Sequence, residues 1–334
     1  MSHAVTIWLR GLAGKKLTKA SINHASLAKL LKRADSYPIK AGGFEARASH
    51  LFHQSTAIPH AVCSAQVELA EANTDVFWLR VDPVQLIPDR DTLVLIPPSE
   101  LALTELESKS LLEAFNLHFK QDGVELVYGS ASSWYLSVLQ VVDIQTTPLR
   151  DAAFHNLQGL FPQGHAASHW RKLMNEAQML FYNHPVNLAR RERGAPEINS
   201  IWLWGEGLLD THQLVPRSQA KIWGQGAYLE GMAHLTQAHF SPLPKDYQAW
   251  FSEAEESQTI NQHLIVLDVS QQTDADEVLA LLESNWCEGL LTGLSTHQLH
   301  SVYIDLDLKD GFLLEPGYLK RFWRWRHPLA SYCS

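Results

Sequence analysis

A chain of 334 residues, 46% of them hydrophobic, is long enough for one large or two ordinary domains and has material for a real core, which excludes a tail or linker. Its formal net charge of −9 and its pI near 6.0 oppose nonspecific attraction to nucleic acid or anionic membrane, because phosphate contacts need clustered cations. No apolar run approaches the roughly 20 residues that span a bilayer, and Met1–Gly14 lacks a signal peptide's basic start, long apolar centre and cleavage site. Cytoplasmic residence is therefore expected, with neither nucleic acid nor membrane as partner.

Val5–Leu9 is short, apolar and rich in strand formers, and with Arg10-Gly11 behind it reads as a first core strand. Ser26–Ala34 places Leu27, Leu30, Leu31 and Ala34 at helical spacing with lysines opposite, and this strand–loop–helix start favours an α/β core. Asp75–Asp82 and Thr92–Ile96 read as strands joined by the turn-rich Pro88-Asp89-Arg90-Asp91. Leu103–Phe119 reads as an amphipathic helix carrying Leu106, Leu111, Leu112, Phe115 and Phe119, and Gly123–Tyr128 and Trp134–Val142 as two more strands. Strand, strand, helix, strand, strand departs from alternating βα units and points to a separate α+β module with antiparallel pairing.

Ser168 is placed to cap a helix through Tyr182, with Trp170, Leu173, Ala177, Leu180 and Phe181 on its apolar side. Within His184–Gly207, Pro185 suits a first helical position and Gly194 the position just past a helix end. The apolar Ile198–Trp204 then opens into Gly205-Glu206-Gly207, which reads either as a carboxyl strand end approached by a ligand or another segment, or as a plain tight turn. The α/β pattern resumes with strand candidates Ile201–Trp204, Lys221–Trp223, Leu264–Val269 and Val302–Leu306. Helices are expected at Ala227–Ala238 and Asp276–Leu282, and loops at Ser241–Lys245 and Ser257–His263. The expected organisation is a discontinuous α/β core of residues 1–71 and 191–334, interrupted by an α+β domain over 72–190.

Chemistry-bearing clusters are few. Cys63, Cys287 and Cys333 are odd in number and far apart, which suggests neither a disulfide framework nor a zinc knuckle. Trp202/Trp204 and Trp323/Trp325, at alternate positions, would share a strand face as core filling or as a stacking platform. His165 and His169 have i, i+4 spacing, but a helix starting at Ser168 leaves His165 in the preceding loop. Asp82, Asp89 and Asp91 read as a hard-cation site or an ordinary charged turn. Arg190, Arg191 and Arg193, with Asn187 and Arg80, form either an anion pocket between core and insertion or solvated charges offsetting a helix dipole. Nucleophile-elbow, Walker and dinucleotide fingerprints are absent.

The run His184-Pro185-Val186-Asn187, with Arg190, Arg193-Gly194, Asn199 and Trp202-Leu203-Trp204-Gly205-Glu206-Gly207, resembles the archaeal-type cofactor-independent phosphoglycerate mutases of the alkaline phosphatase superfamily. It also resembles the bacterial RpfE-type regulatory proteins. Arg80-Val81-Asp82 through Asp89-Arg90, and Leu160-Phe161-Pro162-Gln163-Gly164, extend the likeness over most of the chain. The resemblance implies an α/β fold, an alkaline-phosphatase-like three-layer core with an inserted α+β domain. It also implies a site of two divalent metals, Mn, Zn or Mg, and a Ser or Thr nucleophile.

This sequence departs from the residues of that metal site. Arg10-Gly11 stands where the mutases carry an aspartate and a glycine, and Phe44-Glu45-Ala46-Arg47 where the nucleophile belongs, with Ser49 nearby but out of pattern. Asp268, Asp274 and Asp276 are followed by no histidine through Asn285, Asp305-Leu306-Asp307-Leu308 also lacks one, and His327 is a lone candidate in an aromatic, basic tail. The expectation is a catalytically degenerate mutase-like protein with no catalytic residue, metal or other cofactor. It would bind a small anionic or phosphorylated ligand, or a protein partner, through Arg10, Arg80, Asn187, Arg190, Arg193, Asn199 and Trp204. One alternative is an active mutase or phosphomonoesterase using Asp268, Asp305 and Asp307 with Mn, Zn or Mg, and another is a protein-interaction scaffold.

Overall fold

The structure, a computed structural model, describes residues 2–18, 24–39, 42–90, 92–324 and 328–331. The chain forms two compact units, Met1–Ala57 with Leu214–Ser334, and Ile58–Gln213. The first unit begins with β1 (His3–Arg10), α1 (Ala25–Arg33), β2 (Asp35–Pro38) and α2 (Phe44–Leu51). The second comprises α3 (His60–Glu68), β3 (Phe77–Asp89), β4 (Thr92–Ile96), α4 (Glu105–Phe119), β5 (Leu126–Ser130), β6 (Ser133–Val138), α5 (Leu149–Ala152), α6 (Ala167–Tyr182), α7 (Pro185–Glu192) and β7 (Ser200–Gly207). The chain then returns to the first unit with β8 (Ala220–Gly224), α8 (Ala227–Leu235), β9 (His239–Pro242), α9 (Tyr247–Glu256), β10 (Gln262–Asp268), α10 (Ala275–Leu282), α11 (Glu288–Ser295), β11 (Leu299–Asp305) and β12 (Asp310–Leu314).

In the first unit seven strands follow the order β2-β12-β11-β1-β10-β8-β9. The run from β11 to β9 is parallel, and β12 and β2 add antiparallel. Strand alternation sends Val5, Ile7 and Leu9 to one face of the sheet, where they share a core with Leu27 and Leu30 of α1, Trp250 of α9, Val278 of α10 and Leu290 of α11. Trp8 faces the other way and stacks on Phe44 of α2, which in turn meets Tyr228 of α8. Helices therefore cover both faces, the arrangement a mostly parallel sheet requires to bury its two apolar sides.

The second unit is an antiparallel sheet in the order β4-β3-β6-β5, with β7 also paired to β3. Its core joins the sheet to α4 and α6 through Leu111, Phe115, Trp170 and Phe181. Pattern alone puts Ile201–Trp204 with the α/β core strands, whereas these residues pair with Asp82–Pro83 and Arg80–Val81 of β3. An apolar run with two tryptophans satisfies either sheet, and the sequence does not name its neighbour. The units accordingly divide at Ala57/Ile58 and Gln213/Leu214 rather than at 71/72 and 190/191.

Smaller differences have local causes. Leu106 of α4 is 83% exposed, because the helix turns Leu111, Phe115 and Phe119 inward instead. The N-cap of α6 is Ala166, so Ser168 lies inside the helix and caps nothing. The expected loops 241–245 and 257–263 lose their ends to β9 and β10. Gly194 has φ +70 just past α7, as its position requires. Gly205, with φ +68, allows close approach by the chain itself: a Cβ there would lie 2.9 Å from the Cβ of His60.

Gly11 ends β1 at φ +93, where a Cβ would stand 2.6 Å from the Cα of Ser270, while Gly14 has φ +80 and open space around it. Gly14→Ala is expected to cost about 1 kcal/mol of unfolding free energy, from backbone strain alone, and Gly11→Ala at least about 2 kcal/mol more. Urea denaturation of the two variants tests this, and equal costs would contradict the packing described.

Candidate functional site

Parallel in-register pairing decides what meets at the carboxyl ends of the central strands. Arg10 at the end of β1 is the register partner of Asp268 at the end of β10, and Trp8 is the partner of Asp305, which ends β11. The guanidinium of Arg10 pairs with the Asp268 carboxylate and lies 4.6 Å over the Phe44 ring. Phe44 opens α2 against Trp8, and Arg47 follows three residues later on the same helix. Arg47 donates from Nε to Asp305 Oδ2 at 2.8 Å, from Nη2 to Asp305 Oδ1 at 2.6 Å, and from Nη2 to the Leu308 carbonyl at 2.8 Å. Its Nη1 lies 3.5 Å from Asp307 Oδ1.

Asp305 also accepts the Asp307 N–H at 2.7 Å, and Asp307 accepts the Gly11 N–H at 2.9 Å. The Asp305 side chain is fully buried and that of Asp268 is 47% exposed. Burial pushes the Asp305 carboxyl above its ordinary pKa, against the pull of the Arg47 hydrogen bonds and charge. Burial also opposes the Arg47 charge, but the Asp305 hydrogen bonds and the Asp305 and Asp307 carboxylates outweigh it and raise the Arg47 pKa.

These residues do not fit the metal pair that the resemblance implies. A divalent cation needs free carboxylate oxygens or imidazole nitrogens converging on one point, whereas a guanidinium here faces each of Asp268, Asp305 and Asp307. Among the described residues no group of three or more His, Cys, Asp or Glu side chains is placed to hold a metal ion. Ser49 is buried within α2. His327, Asp91, Trp325 and Cys333 lie outside the described residues.

The other expected binding residues belong to the second unit and fall into separate arrangements. Arg80 pairs with Asp82 at 3.0 Å and reaches Glu68 at 3.8 Å, between the rings of Trp204 and Tyr135 at 5.2 and 5.4 Å. Trp204 Nε1 donates to Asp82 Oδ2 at 2.7 Å. Asn187, fully buried, donates to the carbonyls of Phe181 and Ile198 at 2.8 and 2.7 Å and accepts the Ile198 N–H at 2.8 Å, tying α7 to the start of β7. Asn199 exchanges two hydrogen bonds with the backbone of Leu86, at 2.7 and 2.9 Å.

Arg190, 1% exposed, bonds the carbonyls of Pro196 and Leu101 and meets Glu107 at 2.8 Å, where Arg193 also lands. Arg190 and Arg193 thus converge on a carboxylate of their own unit, and Arg80 is held in a different network. Trp202 is fully buried, its Nε1 bonded to the Thr147 carbonyl at 2.9 Å, which makes this tryptophan pair core filling. His165 pairs with Asp143 in the loop ahead of α6.

Two charged groups are not legible in the sequence. Arg47 lies where the resemblance places a nucleophile, and nothing in the sequence signals its carboxylate partners Asp305 and Asp307, which lie 258 or more residues away. Glu107 was signalled by Thr104-x-x-Glu107, a capping box whose reciprocal bonds are present at the start of α4, but its second role as the acceptor for Arg190 and Arg193 was not.

The fold is that of the alkaline-phosphatase-like α/β proteins, with a covered mixed sheet and an α+β unit inserted in the chain. Among solved structures, a cofactor-independent phosphoglycerate mutase from Thermoplasma acidophilum matches with a TM-score of 0.52 at 12% identity, covering 99% of this chain and 94% of that one. The PH0037 protein from Pyrococcus horikoshii matches with a TM-score of 0.55 at 13% identity, covering 94% and 87%.

In sequence the chain is similar to a Geobacter sulfurreducens protein named Probable 2,3-bisphosphoglycerate-independent phosphoglycerate mutase, with 32% identity over 151 residues, 45% of this chain and 37% of that protein. It is similar to 2,3-bisphosphoglycerate-independent phosphoglycerate mutase 2 of Methanothermobacter thermautotrophicus, with 31% identity over 106 residues, 30% of this chain and 26% of that protein. The chain thus matches less than two thirds of the length of either of these relatives. No protein-family profile matches it. Among the described residues no helix is long and apolar enough to cross a membrane.

Burial works to raise the Glu107 pKa, but the Thr104 N–H and hydroxyl and the arginines at 193 and 190 bring it from 4.5 down to about 2. A carboxylate depressed on folding contributes stability above its unfolded pKa and loses it as pH falls through the folded one. Wild type is expected to be more stable than Glu107→Gln at pH 6, with the gap closing between about pH 4.5 and pH 2. Urea titrations at stepped pH measure it, and a gap independent of pH would contradict the ion-pair role.

Proposed function

We propose that this chain is a catalytically degenerate phosphoglycerate-mutase-like protein that acts in the cytoplasm by binding a ligand or partner, in a regulatory role, rather than by phosphoryl transfer. The observation that carries this reading is the pairing of Arg10 with Asp268 and of Arg47 with Asp305 at the carboxyl ends of the core strands. Two-metal phosphoryl transfer places divalent cations between protein carboxylates and the attacking and leaving oxygens. In this chain the arginine fork of Arg47 takes both oxygens of Asp305. Pulling that carboxylate away toward a metal leaves a buried guanidinium unpaired, at a cost of about 3–5 kcal/mol.

The likeness to named phosphoglycerate mutases supports the scaffold part of the reading. At the strand ends Arg10, with its side chain 18% exposed, is the residue we assign to contact with a small anionic or phosphorylated ligand, through charge-assisted hydrogen bonds. Asn187 and Asn199 are committed to backbone hydrogen bonds, and Arg190 to carbonyls and Glu107.

Calorimetric titration with Mn, Zn and Mg, paired with a phosphoglycerate mutase assay, tests the proposal. No stoichiometric metal binding and no turnover are expected. Stoichiometric binding with turnover that Asp305→Ala abolishes would overturn it in favour of an active mutase with a rearranged carboxylate site.

A further inference from the structure

The first unit contains a cavity of about 460 Å³ at the amino ends of the same core strands. Ala4 of β1 lines it, about 20 Å from Arg10 at about 3.3 Å per residue, so the cavity is separate from the cluster of Arg10, Arg47 and the strand-end carboxylates. Strand alternation places Ala4 and Thr6 on the Trp8 face of β1, and in-register pairing sets Gln262 and Leu264 of β10 beside them. Leu51 and Phe52 at the end of α2, with Val215, add to the apolar part of the wall. The volume falls in the range of small-molecule sites.

The polar part of the wall is rich in donors and holds no acid. Aspartate and glutamate outnumber lysine and arginine 36 to 27, yet the lining has Arg217 and three histidines, His53, His263 and His300, and no carboxylate. The arginines at 10, 47, 80, 190 and 193 each meet a carboxylate. Arg217 does not: burial alone shifts its pKa, downward, with no acidic group offsetting it. Its guanidinium lies 5.6 Å over the Phe52 ring and donates from Nη2 to Gln262 Oε1, which leaves Gln262 Nε2 as a donor with no partner among the described residues. Thr6, half-buried on a central strand, likewise makes no side-chain hydrogen bond among the described residues.

The histidines add no fixed charge. His263 pairs in register with Val5, so its ring turns to the opposite face of the sheet, where Trp223 Nε1 donates to its Nδ1 at 3.1 Å and its Nε2 lies 3.0 Å from His3 Nδ1. Burial, then the His3 and Lys221 charges, brings its pKa down to about 3. Burial first, then the charges of Arg217 and His50, lowers the His53 pKa as well. Arg217 is therefore the permanent cation of the wall. Its position is built in advance: Gln54 exchanges two hydrogen bonds with the backbone of Val215, at 3.0 and 2.9 Å, and the Arg217 N–H and carbonyl bond the Thr236 carbonyl at 2.6 Å and the Ala220 N–H at 2.8 Å.

We propose that this cavity binds a small monocarboxylic acid with an apolar body. The Arg217 guanidinium, the Gln262 amide and the Thr6 hydroxyl hold the carboxylate oxygens, and Leu51, Phe52, Val215 and Leu264 enclose the hydrocarbon. The three polar groups are contiguous, since Gln262 bonds Arg217 and lies diagonal to Thr6 across the ladder of β1 and β10. A carboxylate only accepts, on both oxygens, which suits a wall of donors. One permanent cation balances one negative charge. A doubly charged group brings a second charge into the wall with no second permanent cation to meet it.

Calorimetry of the full chain with hexanoate, acetate, hexanol and inorganic phosphate at pH 7 tests the site and separates its parts. Hexanoate is expected to bind saturably and more tightly than the other three: acetate lacks the apolar body, hexanol lacks the charge, and phosphate lacks the body and carries more charge than Arg217 balances. Arg217→Gln is expected to weaken hexanoate at least about tenfold, while Arg10→Gln leaves it unchanged. Thr6→Val, nearly isosteric and suited to a strand, is expected to weaken it about threefold by removing one donor, and keeps the test valid if Arg217→Gln does not fold. The proposal is overturned by absence of saturable hexanoate binding to wild type, or by hexanol or phosphate binding as tightly. It is also overturned by hexanoate binding that Arg217→Gln leaves intact, or that Thr6→Val leaves intact where Arg217→Gln does not fold. None of these outcomes depends on whether the strand ends bind metal.

Discussion

The buried pair of Arg47 and Asp305 is the constraint on which the strand-end geometry of the first unit depends. A carboxylate with a fully buried side chain at the end of a core strand is tolerable only if both oxygens are satisfied, and the guanidinium fork of Arg47 does this with two near-parallel hydrogen bonds. The rest of the local structure follows. Arg47 also bonds the Leu308 carbonyl, Asp305 accepts the Asp307 N–H, and Asp307, at φ +59, accepts the Gly11 N–H from the end of β1. The turns after β1 and β11 are thus fixed by a network whose centre is an ion pair. Arg10 and Asp268 close the neighbouring strand end in the same way, with less burial.

The second unit uses the same device for a different purpose. Glu107 serves the capping box of α4 and receives Arg190 of α7 and Arg193 just past its end, so one carboxylate joins the start of one helix to the end of another. Asp82 takes Arg80 on one oxygen and Trp204 on the other, locking β3 to β7 through side chains as well as backbone. The stretch from His184 to Gly207, which carries the family likeness most clearly, is therefore a set of structural fasteners. Asn187 closes the α7-to-β7 turn, Asn199 extends the ladder to Leu86, and Gly205 admits His60 of α3.

Where residues interact with near neighbours, the sequence was readable. Pro185 and Gly194 bracket α7 as local backbone chemistry requires, and β1, β8, β10 and β11 emerge from short apolar runs. The cation at position 10 could be seen to stand at a strand end, since Arg10 directly follows the first apolar run. What could not be read depends on distant partners. Ile201–Trp204 is a strand as expected, but apolar content cannot choose between two sheets. Arg47 reads as an ordinary helical arginine until β11 brings Asp305 to it.

Arginine–carboxylate pairing closes the carboxyl ends of the core strands β1, β10 and β11. A double-mutant cycle of Arg47→Met and Asp305→Asn, read by equilibrium unfolding, tests it most directly, because it isolates the pair from the loss of packing at either residue. The account predicts a favourable coupling of at least about 1.5 kcal/mol for a buried, doubly hydrogen-bonded pair. A coupling near zero would mean that Asp305 does not depend on Arg47, and would contradict it.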